Sequence, residues 1–557
     1  MCGEDKPLAA VLGYSRIMPS KTCTNAFITA ISLAGLLVTS NTLAAAADMD
    51  LCGSLLSSAL RNAARSRDVD VSRRATQAAS ACNRVPETWL AAQRWRKLDP
   101  EAIDAMQAYW VSAIETYRID EARAVFAALL KRDDVEADRM LSELLPMMQL
   151  GSQGAATWRA IGPLIQPEKL APETLLLLAN LAVDSGDFAA GRRLAGALLA
   201  RDPGQFQAKL LLAQVAAAGG RDTEAVSMVQ SVLASSPKAD RFALVDMLLN
   251  LERNEDAEQA LQALRERAPE DPEINRRLAL LALQQNDLDT ARARFMTQLG
   301  SSPGETLYFL ALIAERRGEN DQALDAYMRL VRAGAGLRPR ARAAAILLGK
   351  GKDAEARKLI EDYAGVGGQE AIDAANAWSA ILIEAGRAVA AVESLRDALK
   401  VFPGHPSLEY QLGLTLAQGG RSREAVAQLE KYLRGRPLDP NAMNALGYTL
   451  ADSGAQLPRA EQLIREALKS LPDSAALIDS LGWVRFRRGD TADALKELER
   501  AWQLSRDPEI AAHWGEVLWA ADRKGEARSV WARGLARDPD SHSLKAVIDR
   551  LAGSKAP

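Results

Sequence analysis

Between Leu412 and Pro437 apolar side chains recur at helical spacing in two runs, and the helix-breaking pair Gly419-Gly420 separates them. The pattern predicts two antiparallel helices joined by a tight turn. A small residue, Gly413, sits in the first run; Ala425 follows twelve positions later, and Pro437 closes the block. The same twelve-residue step joins Ala213 to Ala225, Ala279 to Ala291, Gly482 to Ala494 and Gly515 to Ala527. Blocks of about 34 residues therefore run from Pro172 to Pro539, closing near Pro203, Pro237, Pro269, Pro303, Pro403, Pro437, Pro472, Pro508 and Pro539. Gly or Ala where two helices cross lets their backbones approach to about 8–10 Å, which a larger side chain would prevent.

These features carry a resemblance to the tetratricopeptide repeat (TPR). One hairpin cannot bury its apolar face alone, so such units stack, and stability becomes a sum of nearest-neighbour contacts. The fold class expected is all-α, a right-handed superhelical solenoid of helix-turn-helix repeats. Residues 48–171 read as degenerate helical repeats, in which Tyr117 to Leu130 resembles the turn and second helix of a standard unit. Residues 172–370 read as an array with irregular glycine-rich units near 334–370, residues 371–540 as a well-matched array, and 541–557 as a capping helix and tail. The glycines at 334, 336, 349, 351, 365, 367 and 368 predict either a hinge or a pair of longer loops.

The first residues change the picture of where the protein works. Lys21 precedes the apolar run Ala26 to Val38, and small residues at Ala44 to Ala47 offer a cleavage site. Residues 1–47 are therefore expected to be a signal peptide whose true start is Met18, since Glu4 and Asp5 do not suit an export signal. Export to a bacterial periplasm follows. Read as an uncleaved anchor, the same run falls short of the roughly 20 residues a membrane span needs, so membrane association stays open. Of the four cysteines, Cys52 and Cys82 are the pair outside this leader. The helical hairpin expected between them brings both to one end, which predicts a disulfide of about 3–4 kcal/mol; the alternative is two free thiols. Leu51 and Asp50 before Cys52 do not make a lipid-attachment site.

Charge and chemistry mostly exclude. Lys and Arg number 69 against 72 Asp and Glu, a net charge of -3, so the chain has no basic footprint for nucleic acid. The three histidines, His405, His513 and His542, show no ligand spacing with each other or with cysteine. No phosphate-binding glycine loop and no Gly-x-Ser-x-Gly elbow occurs. The expectation is no metal, no cofactor, no small-molecule substrate and no enzymatic activity. Asp479 and His513 have no nucleophile beside them and predict a hydrogen bond between stacked units.

What remains is a surface. Residues three before and one after the small position lie on one helical face of each first helix, predicting a partner-binding groove. That selects Tyr410 and Leu414, Asn444 and Tyr448, Asp479 and Trp483, Ala512 and Glu516, and one turn further Phe486, Arg487 and Trp519. Aromatic and Arg anchors suit an extended peptide or a partner helix.

The run Asn444-Ala445-Leu446-Gly447-Tyr448-Thr449-Leu450-Ala451-Asp452, then Asp479-Ser480-Leu481-Gly482-Trp483-Val484, then Asp507 to Trp519, resembles the proteobacterial envelope TPR proteins typified by LbcA, the lipoprotein partner of the carboxyl-terminal processing protease CtpA. The resemblance is specific across 440–535 and looser from Ser72 to Leu130. It implies an adaptor that holds such a protease and delivers peptidoglycan hydrolases to it. The missing lipid-attachment cysteine departs from that family. Two other readings stand beside it: a scaffold for outer-membrane assembly or polysaccharide export, and a glycan-acting enzyme, which would need paired carboxylates in a cleft.

Overall fold

The computed structural model describes residues 56–82, 84–149, 153–218, 221–235, 241–250, 253–300, 302–365, 368–538 and 541–553. The expected leader and Cys52 lie outside these residues. Among the described residues the elements are helices and short turns, without a strand. The chain is an all-α stack of helical hairpins.

Local sequence explains where each hairpin begins. Asp439 caps the helix Pro440–Asp452, its Oδ1 accepting from the amides of Asn441 at 3.0 Å and Ala442 at 3.1 Å. Pro440 follows, with no N–H to leave unsatisfied and a φ already suited to the first turn. Asp271-Pro272 and Asp507-Pro508 repeat the device at the helices Pro272–Gln284 and Pro508–Ala520. Two of the prolines read as closing marks, Pro303 and Pro508, therefore open the next helix instead.

The small positions act where two helices of one hairpin cross. A Cβ on Gly413 would lie 2.7 Å from Leu429 Cδ2, one on Gly447 2.7 Å from Ile464 Cγ1, and one on Gly482 2.7 Å from Leu498 Cγ. Each contact joins a first helix to its own second helix. Ala425, Ala494 and Ala527 are fully buried on the opposing side. This is why the Gly-to-Ala step marks the fold so clearly: both ends of it are positions that hold no larger side chain.

Two compact units are formed. One comprises residues 56–125 and 382–553, the other 126–381. Within the first, the hairpin of Leu56–Arg65 and Val69–Ala81 is followed by the helices Val85–Leu98 and Ile103–Glu115, where the Trp89 and Tyr109 rings lie 4.7 Å apart. Cys82, directly after the second helix, is disulfide-bonded; the pairing expected with Cys52 involves a residue outside those described. In 382–553 each second helix packs on the next first helix, and successive first helices, Pro406–Gln418, Pro440–Asp452, Ala475–Arg487 and Pro508–Ala520, also pack on one another. The last helix, His542–Ala552, takes the place of a further first helix against Pro508–Ala520. Its Leu544 and Ile548 are buried in one cluster with Trp531, which is itself fully buried.

In the second unit the turn expected as part of a hinge is an ordinary one. Leu337–Gly349 and Asp353–Ala364 form a hairpin like the others, with Gly351 at a φ of 73° in the turn. Gly334 and Gly351 supply the left-handed backbone at the turns on either side of Leu337–Gly349, so neither turn is a long loop; the rest of the expected hinge or loops includes residues outside those described. The unit also holds a half-buried polar cluster. Glu315 accepts from Tyr327 Oη at 2.9 Å and from Arg342 at 2.7 Å, tying three successive helices together.

Candidate functional site

The first helices of residues 406–520 carry the residues singled out from the sequence, and the structure divides them into three groups. Tyr410 and Leu414 lie on Pro406–Gln418. Tyr410 packs beside Tyr432 at 5.5 Å, and its hydroxyl donates to the Asn441 carbonyl at 3.4 Å. Leu414, Ala417, Ala445, Tyr448 and Asp452 line a shallow cleft between the first two of these helices.

The central group joins three repeats. His513 presents Nδ1 to the Asp479 carboxylate at 2.8 and 3.0 Å and Nε2 to the Tyr448 hydroxyl at 3.2 Å. A carboxylate only accepts, so Nδ1 carries the proton, and Nε2 of the neutral ring accepts from Tyr448. Trp483 stacks on the imidazole with centroids 4.7 Å apart, Phe486 packs beside Trp483 at 5.6 Å, and the Arg487 guanidinium lies over it at 5.8 Å. Arg487 also donates to the Asp452 carbonyl at 2.7 Å. The hydrogen bond expected between Asp479 and His513 is thus present, and it is one link of a longer chain.

Electrostatics concentrate on the same spot. Burial would lower the pKa of His513, but the charge and hydrogen bond of Asp479 outweigh it and the value is raised. Glu509, one helical turn before His513, is pushed up to about 7 by burial, with the negative charges of Asp507 and Asp479 adding to it.

The third group stands apart from this chain of contacts. Trp519 stacks on Trp531 of its own hairpin at 5.4 Å, with Lys524 and Arg528 over its ring, and Glu516 accepts from Arg550 of the last helix at 2.7 Å.

Exposure separates the residues further. Tyr410, Leu414, Tyr448, Phe486, Arg487, Glu516 and Trp519 are partly exposed. Asn444, Asp479, Ala512 and Trp483 are buried, taken up in contacts between neighbouring helices rather than presented to solvent. The offset from the small position selects the correct helices; it does not say how deeply the next repeat covers each face. Sequence reasoning did not place Glu509 or the Tyr448 contact of His513. The signal for Asp479 and His513 was their 34-residue separation, one repeat, whereas Tyr448 reaches His513 across 65 residues. Among the described residues no group of His, Cys, Asp and Glu could hold a metal ion, and no helix is long and apolar enough to cross a membrane.

Comparison with known proteins finds repeat proteins. Residues 176–240, 242–306, 377–440 and 410–475 match the Tetratricopeptide repeat family. The TPR repeat-containing protein PA4667 of Pseudomonas aeruginosa is 34% identical over 98 residues, which are 18% of this chain and 17% of that protein. The chain thus matches under a fifth of that relative's length. Among solved structures, a thermophilic TPR protein of Thermus thermophilus is 24% identical, covering 32% of this chain and 97% of its own, with a TM-score of 0.30. Yeast Tom70 is 13% identical, covering 77% of this chain and 95% of its own, with a TM-score of 0.36. Tetratricopeptide repeats are present in the chain, and arrays of them are scaffolds for protein–protein contact.

Proposed function

We propose that this chain is an exported, non-enzymatic scaffold that holds other proteins in the cell envelope, as an adaptor for periplasmic proteolysis or for the turnover of cell-wall hydrolases. The partners this reading names are a carboxyl-terminal processing protease and peptidoglycan hydrolases. The observation that carries it is the side of the first helices in residues 406–520. There, partly exposed Tyr448, Phe486 and Arg487 are held in place from beneath by Trp483, His513 and Asp479. Aromatic and Arg side chains whose orientation is already fixed lose little freedom on binding, which is the condition for an anchor.

Crosslinking with mass spectrometry in the native envelope, followed by binding tests of Tyr448→Ala and Trp519→Ala, tests the reading. The expected result is a protease or hydrolase crosslinked to residues 406–520 and about tenfold or greater weakening by Tyr448→Ala. If both variants fold normally and retain every partner, the surface is wrongly assigned. N-terminal sequencing of the protein recovered from the periplasm tests export: a start near residue 48 is expected, and recovery with the leader intact from cytosol refutes it.

A further inference from the structure

A second surface, built from different residues, lies where the helix Thr491–Leu504 meets Lys524–Arg537. Most arginines in residues 382–553 answer a carboxylate: Arg459 meets Glu430, Arg500 meets Asp473, and Arg550 meets Glu516. Arg506 and Arg533 do not. Both are exposed, and among the described residues neither makes an ion pair or a hydrogen bond. Each instead lies over an indole. Arg506 is 5.4 Å from the Trp502 ring centre; Arg533 is 5.6 Å from the same ring and 5.3 Å from that of Trp514. Asp507, adjacent to Arg506 in sequence, is engaged as a helix cap and accepts from the Glu509 amide at 2.8 Å.

A guanidinium resting on an indole uses its face and leaves its N–H rim free. Trp502 is almost fully buried and makes a fixed platform, so the two rims are held in place before anything binds. Two like charges on one ring repel each other, and an anion joining them removes that repulsion. Carboxylates fit best, because each guanidinium can donate two parallel hydrogen bonds to one. Leu504, two residues before Arg506, is 42% exposed, and Trp514 under Arg533 is half-buried, so apolar surface accompanies the charges.

We propose that Arg506, Arg533, Trp514 and Leu504 form a docking site for an acidic segment of a partner protein, in which Asp or Glu side chains flank an apolar one. The proposal rests on the reading of the chain as a protein-binding scaffold, and adds to it the chemistry of one partner segment and a surface other than the Tyr448 side.

The test uses the full chain and a fluorescein-labelled peptide of about a dozen residues with Glu flanking Leu and Phe. A second peptide carries Gln at every Glu, and vesicles containing phosphatidylglycerol serve as an anionic surface. The Glu peptide is expected to bind, with affinity falling as salt rises. Arg506→Gln combined with Arg533→Gln is expected to weaken it about tenfold or more, while Lys400→Gln, at an exposed position on Ala388–Val401, leaves it unchanged. Far-UV circular dichroism confirms that the double variant, altered only at exposed positions, is folded. Equal binding by the double variant, equal binding of the Gln peptide, binding to vesicles alone, or no binding to the unaltered chain overturns the proposal. If the acidic peptide fails while envelope proteins still crosslink to residues 406–520, the docking site falls and the scaffold reading survives; if no protein crosslinks anywhere, the scaffold reading falls as well.

Discussion

Gly482 shows how much of this fold rests on single atoms that are missing. A methyl group there would meet Leu498 Cγ at 2.7 Å and the Ala494 carbonyl at 3.2 Å, inside a fully buried crossing. Leu498 cannot retreat without pushing on the next hairpin, so Gly482→Ala is expected to destabilise residues 382–553 by about 1–3 kcal/mol in a urea titration, despite the better helix propensity of alanine. Gly435→Ala, at a helical position with nothing within 4 Å, provides the contrast and is expected to leave the midpoint unchanged or slightly raised. These glycines were legible in the sequence because their spacing is local and repeated. Burial of the predicted surface residues was not. Asn444 and Asp479 sit three positions before a glycine, as expected, yet the neighbouring helices cover them. Coverage depends on the size of side chains in another repeat, which no window around the residue contains.

The helix Pro508–Ala520 ties its stability to pH near neutrality. It carries His513 and Glu509, and the groups that bear on them are Asp479 from Ala475–Arg487, Tyr448 from Pro440–Asp452, and the cap Asp507. Other carboxylates on this helix and its neighbours have partners of their own: Glu497 in Arg485, Glu526 in Arg523, and Glu516 in Arg550, while Arg533 of the following helix lies over Trp514. Both shifts point the same way. Glu509 rises from 4.5 to about 7, and His513 rises above 6.5, so the folded protein holds protons that the unfolded chain has released. Such protons stabilise the fold at low pH. Glu509's contribution is complete below its unfolded value and is lost as pH climbs towards 7; that of His513 is complete below 6.5 and is lost above it. The urea midpoint for residues 382–553 is therefore expected to fall between about pH 5 and about pH 8. Glu509→Gln should flatten the decline and raise stability at the upper end by roughly 1–2 kcal/mol, allowing for its partly exposed position. His513→Gln, which can still donate to Asp479 without titrating, should remove the part near neutrality. A midpoint that rises with pH would refute the assignment. The helices themselves follow from sequence, down to the Asp-Pro pair that starts them, because a cap acts within one turn. Their titration does not, since it needs Tyr448, Asp479 and Glu509 to converge from three repeats.

For the molecule as a whole, stacking means that each hairpin contributes chiefly through its neighbours, and unfolding need not be all-or-none. Of the ten tryptophans, five (483, 502, 514, 519 and 531) lie in one stretch, so fluorescence weights that stretch, whereas circular dichroism reports on every helix. The two signals are expected to give different urea midpoints; coincident curves would show a single cooperative unit instead. Truncation after Asp538 removes Leu544 and Ile548 from the cluster around Trp531 and should lower the fluorescence midpoint first, leaving most of the helical signal in place. Repeat period and hairpin class were readable from residues alone, since each is set by interactions within about 34 positions that recur until the pattern stands out from chance, although Pro303 and Pro508, read as closing marks, start helices. The convergence of Tyr448 on His513, the burial of Trp483 and the turning of Trp519 towards Trp531 were not, and neither was the paired arginine platform on Trp502. Those depend on how one hairpin rests against the next. That fit is made by side chains far apart in sequence, each used once and never repeated, so periodicity carries no trace of it.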